Sequence, residues 1–487
     1  MTELLDLLAE CEYSVISGDI DNVSVTDIVM DTRKLIEGCL FVCIEGAKFD
    51  GHSFVNEAVE KGARVLVVQK DIDPISDKNV TVIRVSDTRK ALALISCAWF
   101  DHPAMKLTTI GVTGTKGKTT TTYLIKQMLE NAGHKVGLVG TIETIIGDKH
   151  IPSLNTTPES LTLQGYFAGM VRAGIDSVVM EVSSQALMLH RTDGFVFDHA
   201  VFTNLSPDHI GENEHRDFED YLHCKSLLFR QCRMGHFNCD DEHERDMTEK
   251  ATCEITTFGL SESADIMAYN INLTNGGSYL GTEFDTRGII DEHFRCDMPG
   301  RFTVYNALSA ISVCHYMGVP ADMMNDALIK ARVKGRIEMI DISPDYTLMI
   351  DYAHNAMALE SLLKTLKEYD PERIVTVFGC GGNRSRDRRF EMGEVSGRLS
   401  DFTIITSDNP RYEEPQAILD DIETGIKKTD GRYIKIIDRK EAIAYAIHNA
   451  QKGDVIVLAG KGHEDYQEIK GVKHPMDERV LIDEIIR

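Results

Sequence analysis

The strongest chemical signal in the sequence is a glycine-rich loop, Gly111-Val-Thr-Gly-Thr-Lys-Gly-Lys-Thr-Thr120, between a strand-like and a helix-like run. Glycines let the backbone curl around a phosphate, and free N–H groups and the positive end of the following helix then face the anion. Lys118 can bridge the outer phosphates of a nucleotide, and the Thr119 hydroxyl can bind Mg²⁺. The spacing G-x-x-G-K-T is one residue off the standard phosphate loop, but the strand–loop–helix context predicts a nucleotide site.

Further polar residues follow this loop along the chain. Glu181 ends an apolar run, where a carboxylate can face a nucleotide-bound metal or can simply cap the strand. The Ser183 hydroxyl can cap a helix or contact a substrate. His209 lies in a loop, where histidines are usually just exposed. Lys225, taken by itself, has the pattern of an exposed helix lysine.

The last third of the chain places polar clusters directly after apolar strand-like runs. They are Asp351, Gly379–Arg384, Ser407–Arg411 and Gly460–Glu464. Ligands of open parallel sheets bind beyond the carboxyl ends of the strands, so these clusters predict a second binding edge. The basic run just after Arg384 (Arg386, Arg388 and Arg389) is expected to be a solvated turn.

The elements that must position these residues form three predicted blocks, 1–101, 102–334 and 335–487. The middle block alternates predicted strands (108–113, 136–140, 177–182, 200–204) with predicted helices (118–132, 159–173, 218–232), followed by β-ribbons from 255 to 297. The third block repeats this rhythm with five predicted strands. Near-continuous apolar strands between helices predict an α/β fold whose parallel sheets are covered on both faces.

Composition limits the class of protein. The chain has 487 residues, enough for two to four domains, and 52 basic against 77 acidic residues give a formal charge of −25. Such acidity argues against non-specific binding to nucleic acid or to anionic membranes. A few local cations can still bind an anionic small molecule.

The cysteine pattern and the N-terminus predict a cytoplasmic protein. Eleven scattered cysteines, an odd number without any C-x-x-C pair, are typical of reduced and mostly buried thiols. The first ten residues lack the features of a signal peptide, and no apolar run is long enough to span a membrane.

Many short motifs occur in the order found in the Mur ligase family, which the chain resembles from Asp31 to Glu464. They are Gly114–Thr120, Asn155-Thr-Thr157, Glu181-Val-Ser-Ser184, Asn204-Leu-Ser-Pro-Asp-His209, Lys225, Gly335-Arg-Ile-Glu338, Asp351-Tyr-Ala-His354, Gly379–Arg384, Asp408-Asn-Pro-Arg411 and Gly460–Glu464. The resemblance implies three domains: an N-terminal UDP-binding domain, a central ATPase domain with a parallel sheet, and a C-terminal Rossmann-like domain.

The resemblance also implies an ATP- and Mg²⁺-dependent amide ligase of peptidoglycan precursor synthesis. In this reaction ATP phosphorylates the D-Glu carboxylate of UDP-MurNAc-L-Ala-D-Glu, and the amine of a third amino acid then displaces phosphate. A carboxylate is a poor electrophile, so phosphorylation supplies its leaving group. Positioning and electrostatics are expected to provide most of the catalysis. A monomer acting on these small molecules is expected.

The matching motifs assign site residues by resemblance. Lys118, His209 and Lys225 are expected to be catalytic, and Thr119, Glu181, His209 and a carbamylated Lys225 to bind metal. The expected ATP contacts are Gly114, Thr115, Lys116, Gly117, Lys118, Thr119, Thr120, Asn306, Arg336 and Asp351. The expected contacts to the UDP substrate are Thr32, Asn155, Thr156, Thr157, Ser183 and Arg191.

Arg411 predicts which amino acid is added. Asp-Asn-Pro-Arg resembles the motif of enzymes that add meso-diaminopimelate, whose distal carboxylate a guanidinium can bind bidentately. L-Lysine lacks that carboxylate, and Arg411 would repel its ammonium group. The expected amino-acid contacts are Arg384, Asp408, Asn409, Pro410, Arg411, Gly460 and Glu464, with Glu464 accepting the distal ammonium.

Three departures and three alternatives accompany this resemblance. Thr32 replaces the usual serine, Leu189 stands where glutamine is expected, and residues 211–219 differ from the family pattern. The alternatives are an L-lysine-adding ligase, a folylpolyglutamate synthetase, and a diverged nucleotide-dependent switch without ligase activity.

Overall fold

The structure is a computed structural model that describes residues 2–46, 49–211, 214–277 and 279–487. Contacts between Cα atoms divide the chain into two compact units, residues 1–258 and 259–487.

The first unit begins with a small α/β sheet. Its elements are β1 (Thr2–Glu3), α1 (Leu4–Leu8), β2 (Tyr13–Ser17), β3 (Ser24–Val25), β4 (Ile28–Val29), β5 (Leu40–Val42), α2 (Val55–Glu60), β6 (Val65–Val68), β7 (Thr81–Val85) and α3 (Thr88–Trp99). Five strands form a sheet in the order β2-β7-β6-β5-β4, parallel except for the antiparallel β2–β7 pair. Asp87 caps α3 by accepting from Arg89 N and Lys90 N, and the apolar face of α3 is buried.

The rest of the first unit is a larger sheet that carries the phosphate loop. Its elements are β8 (Thr108–Thr113), α4 (Lys118–Asn131), β9 (Val136–Val139), β10 (Glu143–Ile146), β11 (Lys149–Pro152), α5 (Ser160–Arg172), β12 (Ser177–Glu181), α6 (Ser184–Met188), β13 (Phe197–Phe202), α7 (Phe218–Ser226), β14 (Cys232–Asn238), α8 (Glu244–Thr248) and β15 (Glu254–Gly259). The strand order is β11-β10-β9-β12-β8-β13-β14-β15. The six neighbours β9, β12, β8, β13, β14 and β15 run parallel, whereas β10 is antiparallel to both β9 and β11.

The register of this sheet places the polar residues at one edge. Glu181, the last residue of β12, pairs with Val112 of β8, so the Glu181 side chain and the loop after Thr113 leave the sheet together. β9 and β12 are buried along their whole length, and all but the first residue of β8 is buried too, which explains their continuous apolar runs.

The second unit contains three antiparallel strands (β16–β18), a six-stranded sheet and seven helices among its described residues. Its elements are β16 (Ile266–Asn275), β17 (Leu280–Gly288), β18 (His293–Cys296), α9 (Arg301–Tyr316), α10 (Ala321–Lys330), β19 (Glu338–Ile340), β20 (Thr347–Asp351), α11 (Ala356–Lys367), β21 (Arg373–Phe378), α12 (Asp387–Leu399), β22 (Phe402–Ile405), α13 (Pro415–Ile426), β23 (Tyr433–Lys435), α14 (Arg439–His448), β24 (Asp454–Ala459), β25 (Tyr466–Ile469), β26 (Val472–Pro475) and α15 (Glu478–Ile486). The sheet order is β19-β20-β24-β21-β22-β23, with only β19 antiparallel, and β25–β26 is a separate hairpin.

Two predicted boundaries are wrong. The helix predicted over 218–232 ends at Ser226, a 3-10 turn covers Leu227–Arg230, and Cys232 opens β14. The strand predicted over 200–204 is Phe197–Phe202, because Asn204 leaves the sheet to hydrogen-bond the phosphate loop. The apolar run Leu-Leu-Phe at the start of this turn is equally compatible with a helix and with a buried turn. Apolar periodicity therefore does not locate the end of the helix.

The cysteines are free thiols, and eight of the eleven are buried. No helix in the described ranges combines the length and apolarity that a membrane span requires.

Candidate functional site

The phosphate loop leaves β8 and enters α4 with two glycines in backbone conformations that a side chain would strain. Gly114 has φ +147°, and a Cβ there would lie 2.0 Å from Thr203 Oγ1. Gly117, with φ +85°, precedes the first turn of α4. The first N–H groups of α4 have no acceptor within the helix, so they and the helix dipole form an anion site in the loop.

Asn204 fixes the other half of this loop. Its main-chain oxygen accepts from Thr115 N at 2.9 Å, and its Oδ1 accepts from Lys116 N at 2.9 Å. The Asn204 amide donates back to Lys116 O at 3.0 Å. The Lys116 side chain is exposed. These three hydrogen bonds therefore fix the conformation of the loop at Thr115 and Lys116.

Two lysine side chains meet at one carbonyl of the loop. Lys118 Nζ donates to Gly114 O at 2.7 Å, and Lys225 Nζ donates to the same oxygen at 2.9 Å. Lys118 also donates to Thr115 O at 3.0 Å. The predicted catalytic lysines thus lie side by side although 107 positions separate them in the sequence.

Lys225 is not an exposed helix lysine, and that interpretation of the isolated residue is wrong. Its side chain is 2% exposed on α7 and lies over the Tyr221 ring, with Nζ 4.7 Å from the ring centroid. Burial, and then the positive charge of Lys118, hold the pKa of Lys225 well below its usual range. A neutral amine at this position can react with an electrophile.

The Glu181 carboxylate accepts hydrogen bonds from two threonine hydroxyl groups at the sheet edge. Its Oε1 accepts from Thr119 Oγ1 at 3.0 Å and from Thr141 N at 2.8 Å, while Oε2 accepts from Thr141 Oγ1 at 2.9 Å. Thr141 Oγ1 in turn lies 3.1 Å from Thr156 Oγ1. These hydroxyl and carboxylate oxygens are the hard donors that Mg²⁺ prefers.

A cleft of about 330 Å³ joins this edge to the other predicted residues of the first unit. Its lining is Lys118, Thr141, Leu154, Asn155, Thr156, Thr157, Ser183, Ser184, Gln185, Arg191, His209 and Lys225. Five of the six predicted UDP-substrate residues line it. The sixth, Thr32, lies in a 3-10 turn capped by Asp31 and does not belong to this lining.

Arg191 is held against the cleft by a neighbouring carboxylate. Its Nη2 lies 2.6 Å from Glu159 Oε1, and its Nη1 donates to Thr157 O at 2.9 Å. Glu159 Oε2 also pairs with Arg89 of α3 at 3.5 Å. Leu189 ends α6 two residues before Arg191 and is half-buried.

His209 reaches the cleft from an exposed loop. Its side chain is 57% exposed and its Nδ1 lies 3.2 Å from Glu214 Oε1. His215 nearby is buried, with Nε2 2.8 Å from Ser184 Oγ. Of the divergent segment 211–219, residues 212 and 213 lie outside the described residues.

The three residues predicted to hold adenine and ribose lie in the second unit. Asn306 is buried on α9. Arg336 stacks over the Tyr352 ring, with Cζ 5.0 Å from the centroid. Asp351 ends β20, and its carboxylate accepts from Ile337 N and Ala353 N, both at 2.8 Å. Burial raises the Asp351 pKa.

Two loops at the carboxyl ends of β21 and β22 form the predicted amino-acid site. A Cβ at Gly382 would lie 1.9 Å from Pro410 O, so only glycine allows these loops to touch. Arg411 Nη1 donates to Gly382 O at 2.8 Å, and its Nε donates to Glu468 Oε2 at 3.1 Å. Gly381 lies close to the side chains of both Arg411 and Arg384. A Cβ at Gly381 would lie 3.7 Å from Arg411 Nη1 and 3.8 Å from Arg384 Cγ.

The turn after β24 completes this site. Gly460 has φ +107°, and a Cβ there would lie 3.2 Å from Asp408 Oδ2. Asn409 Nδ2 donates to Glu464 Oε2 at 2.9 Å. Lys461, Glu464 and Asn409 form one hydrogen-bonded group. The structure therefore brings together the predicted amino-acid contacts from all three loops.

The expected solvated basic turn is wrong for Arg389. This side chain is 1% exposed, and its guanidinium pairs with Asp421 at 3.0 Å and with Glu413 at 2.8 Å. Arg386 is largely exposed but also pairs with Asp421, at 2.5 Å. The Glu413 carboxylate in turn accepts from Asn383 N at 2.5 Å, so this cluster fixes the loop before Arg384.

Several site residues are not predicted from the sequence. Thr141 follows β9, the neighbour of β12, and the strand-end rule that found Glu181 would also have found it. Glu468 belongs to a hairpin that was not predicted. Lys461 lies inside a motif that was noted, but no sequence signal shows that its side chain is buried.

Three family models match consecutive parts of the chain. They are described as "Mur ligase family, catalytic domain" for residues 24–99, "Mur ligase middle domain" for 112–314, and "Mur ligase, glutamate ligase domain" for 335–462. Together with the relatives below, these matches show that the chain belongs to the Mur ligase family.

Two curated relatives are similar over almost their whole length. One from Clostridium acetobutylicum is 44% identical, with 100% of this chain and 99% of the relative covered, and carries the name UDP-N-acetylmuramoyl-L-alanyl-D-glutamate--2,6-diaminopimelate ligase 1. One from Caldanaerobacter subterraneus subsp. tengcongensis, named as the same ligase, is also 44% identical, with 99% and 98% covered.

Solved structures confirm the three-domain α/β fold class. A structure named as the same diaminopimelate ligase has a TM-score of 0.76 at 28% identity and covers 100% of this chain and 99% of its own. A MurF ligase from Thermotoga maritima in complex with ADP has a TM-score of 0.56 at 19% identity, with 90% and 95% covered. The second likeness concerns the fold alone.

Proposed function

We propose that this chain is the ATP-dependent ligase that adds meso-2,6-diaminopimelate to UDP-MurNAc-L-Ala-D-Glu. The observation that carries the proposal is the cleft of the first unit. It places Lys118 and buried Lys225 beside Asn155, Ser183 and Arg191. A phosphate loop and a set of substrate-binding side chains facing one space fit a reaction between a nucleotide and a second anionic substrate.

In the first step the D-Glu carboxylate oxygen attacks the γ-phosphorus of ATP, which yields an acyl phosphate and ADP. In the second step the amine nitrogen of the amino acid attacks the acyl carbon. Phosphate leaves with the bonding electron pair, and the nitrogen loses a proton. The loop N–H groups and Lys118, which lines the same cleft, bind the phosphates.

The donor set around Glu181 fits a magnesium ion. Thr119 Oγ1 and the Glu181 carboxylate would hold it, with His209 facing the same cleft. When bound, Mg²⁺ neutralises charge on the phosphate oxygens.

Lys225 is proposed to carry a carbamate. Its deprotonated amine attacks CO₂, forms an N–C bond and releases a proton, which converts a buried cation site into a carboxylate. The depressed pKa of Lys225 supports this step because only the neutral amine is nucleophilic. The carbamate would add an oxygen donor to the cleft that Lys118 and Lys225 line.

In the second unit, Arg411 and Arg384 are proposed to bind the distal carboxylate of diaminopimelate, and Glu464 its distal ammonium. Asn306, Arg336 and Asp351 are proposed to contact the nucleoside. The domain limits 1–101, 102–334 and 335–487 stay a proposal, supported by family matches over 24–99, 112–314 and 335–462. The cytoplasmic location and the monomeric state also stay predictions.

The test is ADP release by the purified protein with ATP, Mg²⁺, UDP-MurNAc-L-Ala-D-Glu and a panel of amino acids. A ligase releases ADP in multiple turnovers only when both the UDP substrate and an amino acid are present. A nucleotide-dependent switch would hydrolyse ATP without the amino acid, and a folylpolyglutamate synthetase would require a folate in place of the UDP substrate. Either result would overturn the proposal.

A further inference from the structure

A fully buried lysine side chain contacts two residues of the proposed amino-acid site, Glu464 and Asn409. Lys461, in the turn after β24, is 0% exposed. Its Nζ donates to Glu464 Oε2 at 2.7 Å, to Asn409 Oδ1 at 3.0 Å and to Tyr466 O at 2.5 Å. An ammonium has three N–H donors, so all three are used. None of them is left for a ligand.

This arrangement leaves Glu464 with one engaged and one open oxygen. Oε2 accepts from both Lys461 Nζ and Asn409 Nδ2. Among the residues that the structure describes, no donor reaches Oε1, and the side chain keeps 18% of its surface exposed. Lys461 therefore aims the carboxylate and fixes which oxygen faces outward.

Lys461 also balances the charges at this site. Glu464 is paired with Lys461, and Glu468 is paired with Arg411 at 3.1 Å. The distal end of meso-diaminopimelate carries one positive and one negative charge and adds no net charge to these neutral pairs. The side chain of L-lysine adds an uncompensated positive charge.

We propose that Lys461 is a positioning residue that sets amino-acid specificity, by orienting Glu464 and cancelling its charge so that a zwitterionic head is preferred over a lone ammonium. The inference rests on the proposed function and deepens it. Without Lys461, Glu464 is an unpaired anion in a half-buried site, which attracts a lone cation more strongly and holds the zwitterion less precisely.

The test compares kcat/KM for meso-diaminopimelate and for L-lysine in Lys461→Met. We expect the value for diaminopimelate to fall about 10- to 100-fold, through KM rather than kcat, while KM for ATP stays unchanged. The ratio of L-lysine to diaminopimelate should rise at least about tenfold. Lys461→Gln, which keeps two N–H donors but no charge, should shift the ratio in the same direction by less, and it provides a second reading if the Met variant folds poorly.

Arg373→Met is the matched control. Arg373 pairs with buried Asp454 at the amino ends of β21 and β24, whereas the proposed site lies beyond the carboxyl ends. Its loss therefore removes an ion pair from the same sheet away from the site. A purely structural role for Lys461 predicts lowered melting temperatures in both variants and an unchanged ratio in both, which would overturn the inference.

A double-mutant cycle with Glu464→Gln tests whether Lys461 affects specificity through Glu464. If Lys461 acts through Glu464, Lys461→Met should change the ratio much less in the Gln background than in the wild type. Additive effects would contradict the inference. A wild-type enzyme that accepts L-lysine but not diaminopimelate would instead defeat the proposed function, so the two failures are distinct.

Discussion

At the scale of single residues, burial decides what the charged side chains can do. Lys225 and Lys461 are both buried lysines. Lys461 has a carboxylate partner, whereas the one hydrogen bond of the Lys225 amine within the described part of the chain goes to a neutral carbonyl. Burial disfavours the protonated form of an amine, whereas a neighbouring carboxylate offsets part of that cost. The same residue type is therefore suited to covalent chemistry at one position and to orienting a neighbour at the other.

The carbamate proposal predicts that Lys225→Ala and Lys225→Arg both lose activity. We expect a loss of about 100-fold or more in kcat for each, because neither side chain can supply a carboxylate. Short carboxylates such as formate or acetate should partly rescue Lys225→Ala. Substantial activity in Lys225→Arg, measured by ADP release, would show that a positive charge and not a carbamate is required.

Arg411 provides the second prediction at this scale. Arg411→Ala should lower kcat/KM for meso-diaminopimelate about 30- to 5000-fold, since loss of a desolvated charged hydrogen bond costs about 2–5 kcal/mol. Most of the preference over L-lysine should disappear with it. Arg388→Ala, on the neighbouring helix, is the control. Equal effects of both substitutions would contradict a specific role for Arg411.

At the scale of elements, apolar periodicity located the strands that carry the site. β8 was predicted with its observed limits, and α4 and β12 within one residue at each end. The β10–β11 and β25–β26 hairpins were not predicted, because half-exposed strands carry mixed polar residues. Strand ends place site residues, but burial of Lys225, Lys461 and Arg389 arises from distant contacts that no local pattern encodes.

Arg389 links α12 to Glu413, just before α13, and to Asp421 in the middle of α13. Arg389→Met should lower the free energy of unfolding by about 3–5 kcal/mol, because it leaves Asp421 and Glu413 without their buried partner. Urea denaturation measures this change. Arg388→Met is the matched control and should change stability by about 0.5 kcal/mol or less. Equal destabilisation by both would mean that the buried ion pairs contribute nothing specific.

At the scale of the whole molecule, the formal charge of −25 reflects the acidic surface and does not show the positive charges at the proposed sites. Lys118, Arg191, Arg336 and Arg411 are local cations, each held by contacts within its own unit. The acidic composition argues against a nucleic-acid partner but carries no information about a nucleotide-sugar substrate.

A half-buried histidine, His199, and a buried one, His236, predict how stability depends on pH. His199 Nδ1 lies 3.1 Å from His236 Nε2, and burial lowers the pKa of both, that of His236 well below its usual range. The unfolded chain binds protons there below about pH 6.5 and the folded chain does not, so acid favours unfolding. Stability should fall by up to about 1.4 kcal/mol per pH unit for each histidine as the pH drops from 6.5 towards 5.

Urea denaturation between pH 7.5 and 5 measures this slope. The raised pKa of His190, which pairs with Asp193, acts in the opposite direction and reduces the net slope. Replacement of His236 by glutamine should reduce the pH dependence of the unfolding free energy by the contribution of one histidine, up to about 1.4 kcal/mol per pH unit. This reduction is expected whether or not the variant is less stable at pH 7.5. A slope identical in wild type and variant would contradict the assignment.

The most direct test of the account is the ratio of kcat/KM for meso-diaminopimelate to that for L-lysine in the wild-type enzyme, with saturating ATP and UDP-MurNAc-L-Ala-D-Glu. The guanidinium of Arg411 and the paired Glu464 predict a ratio of about 30 or more. A ratio near one, or a preference for L-lysine, would contradict the account.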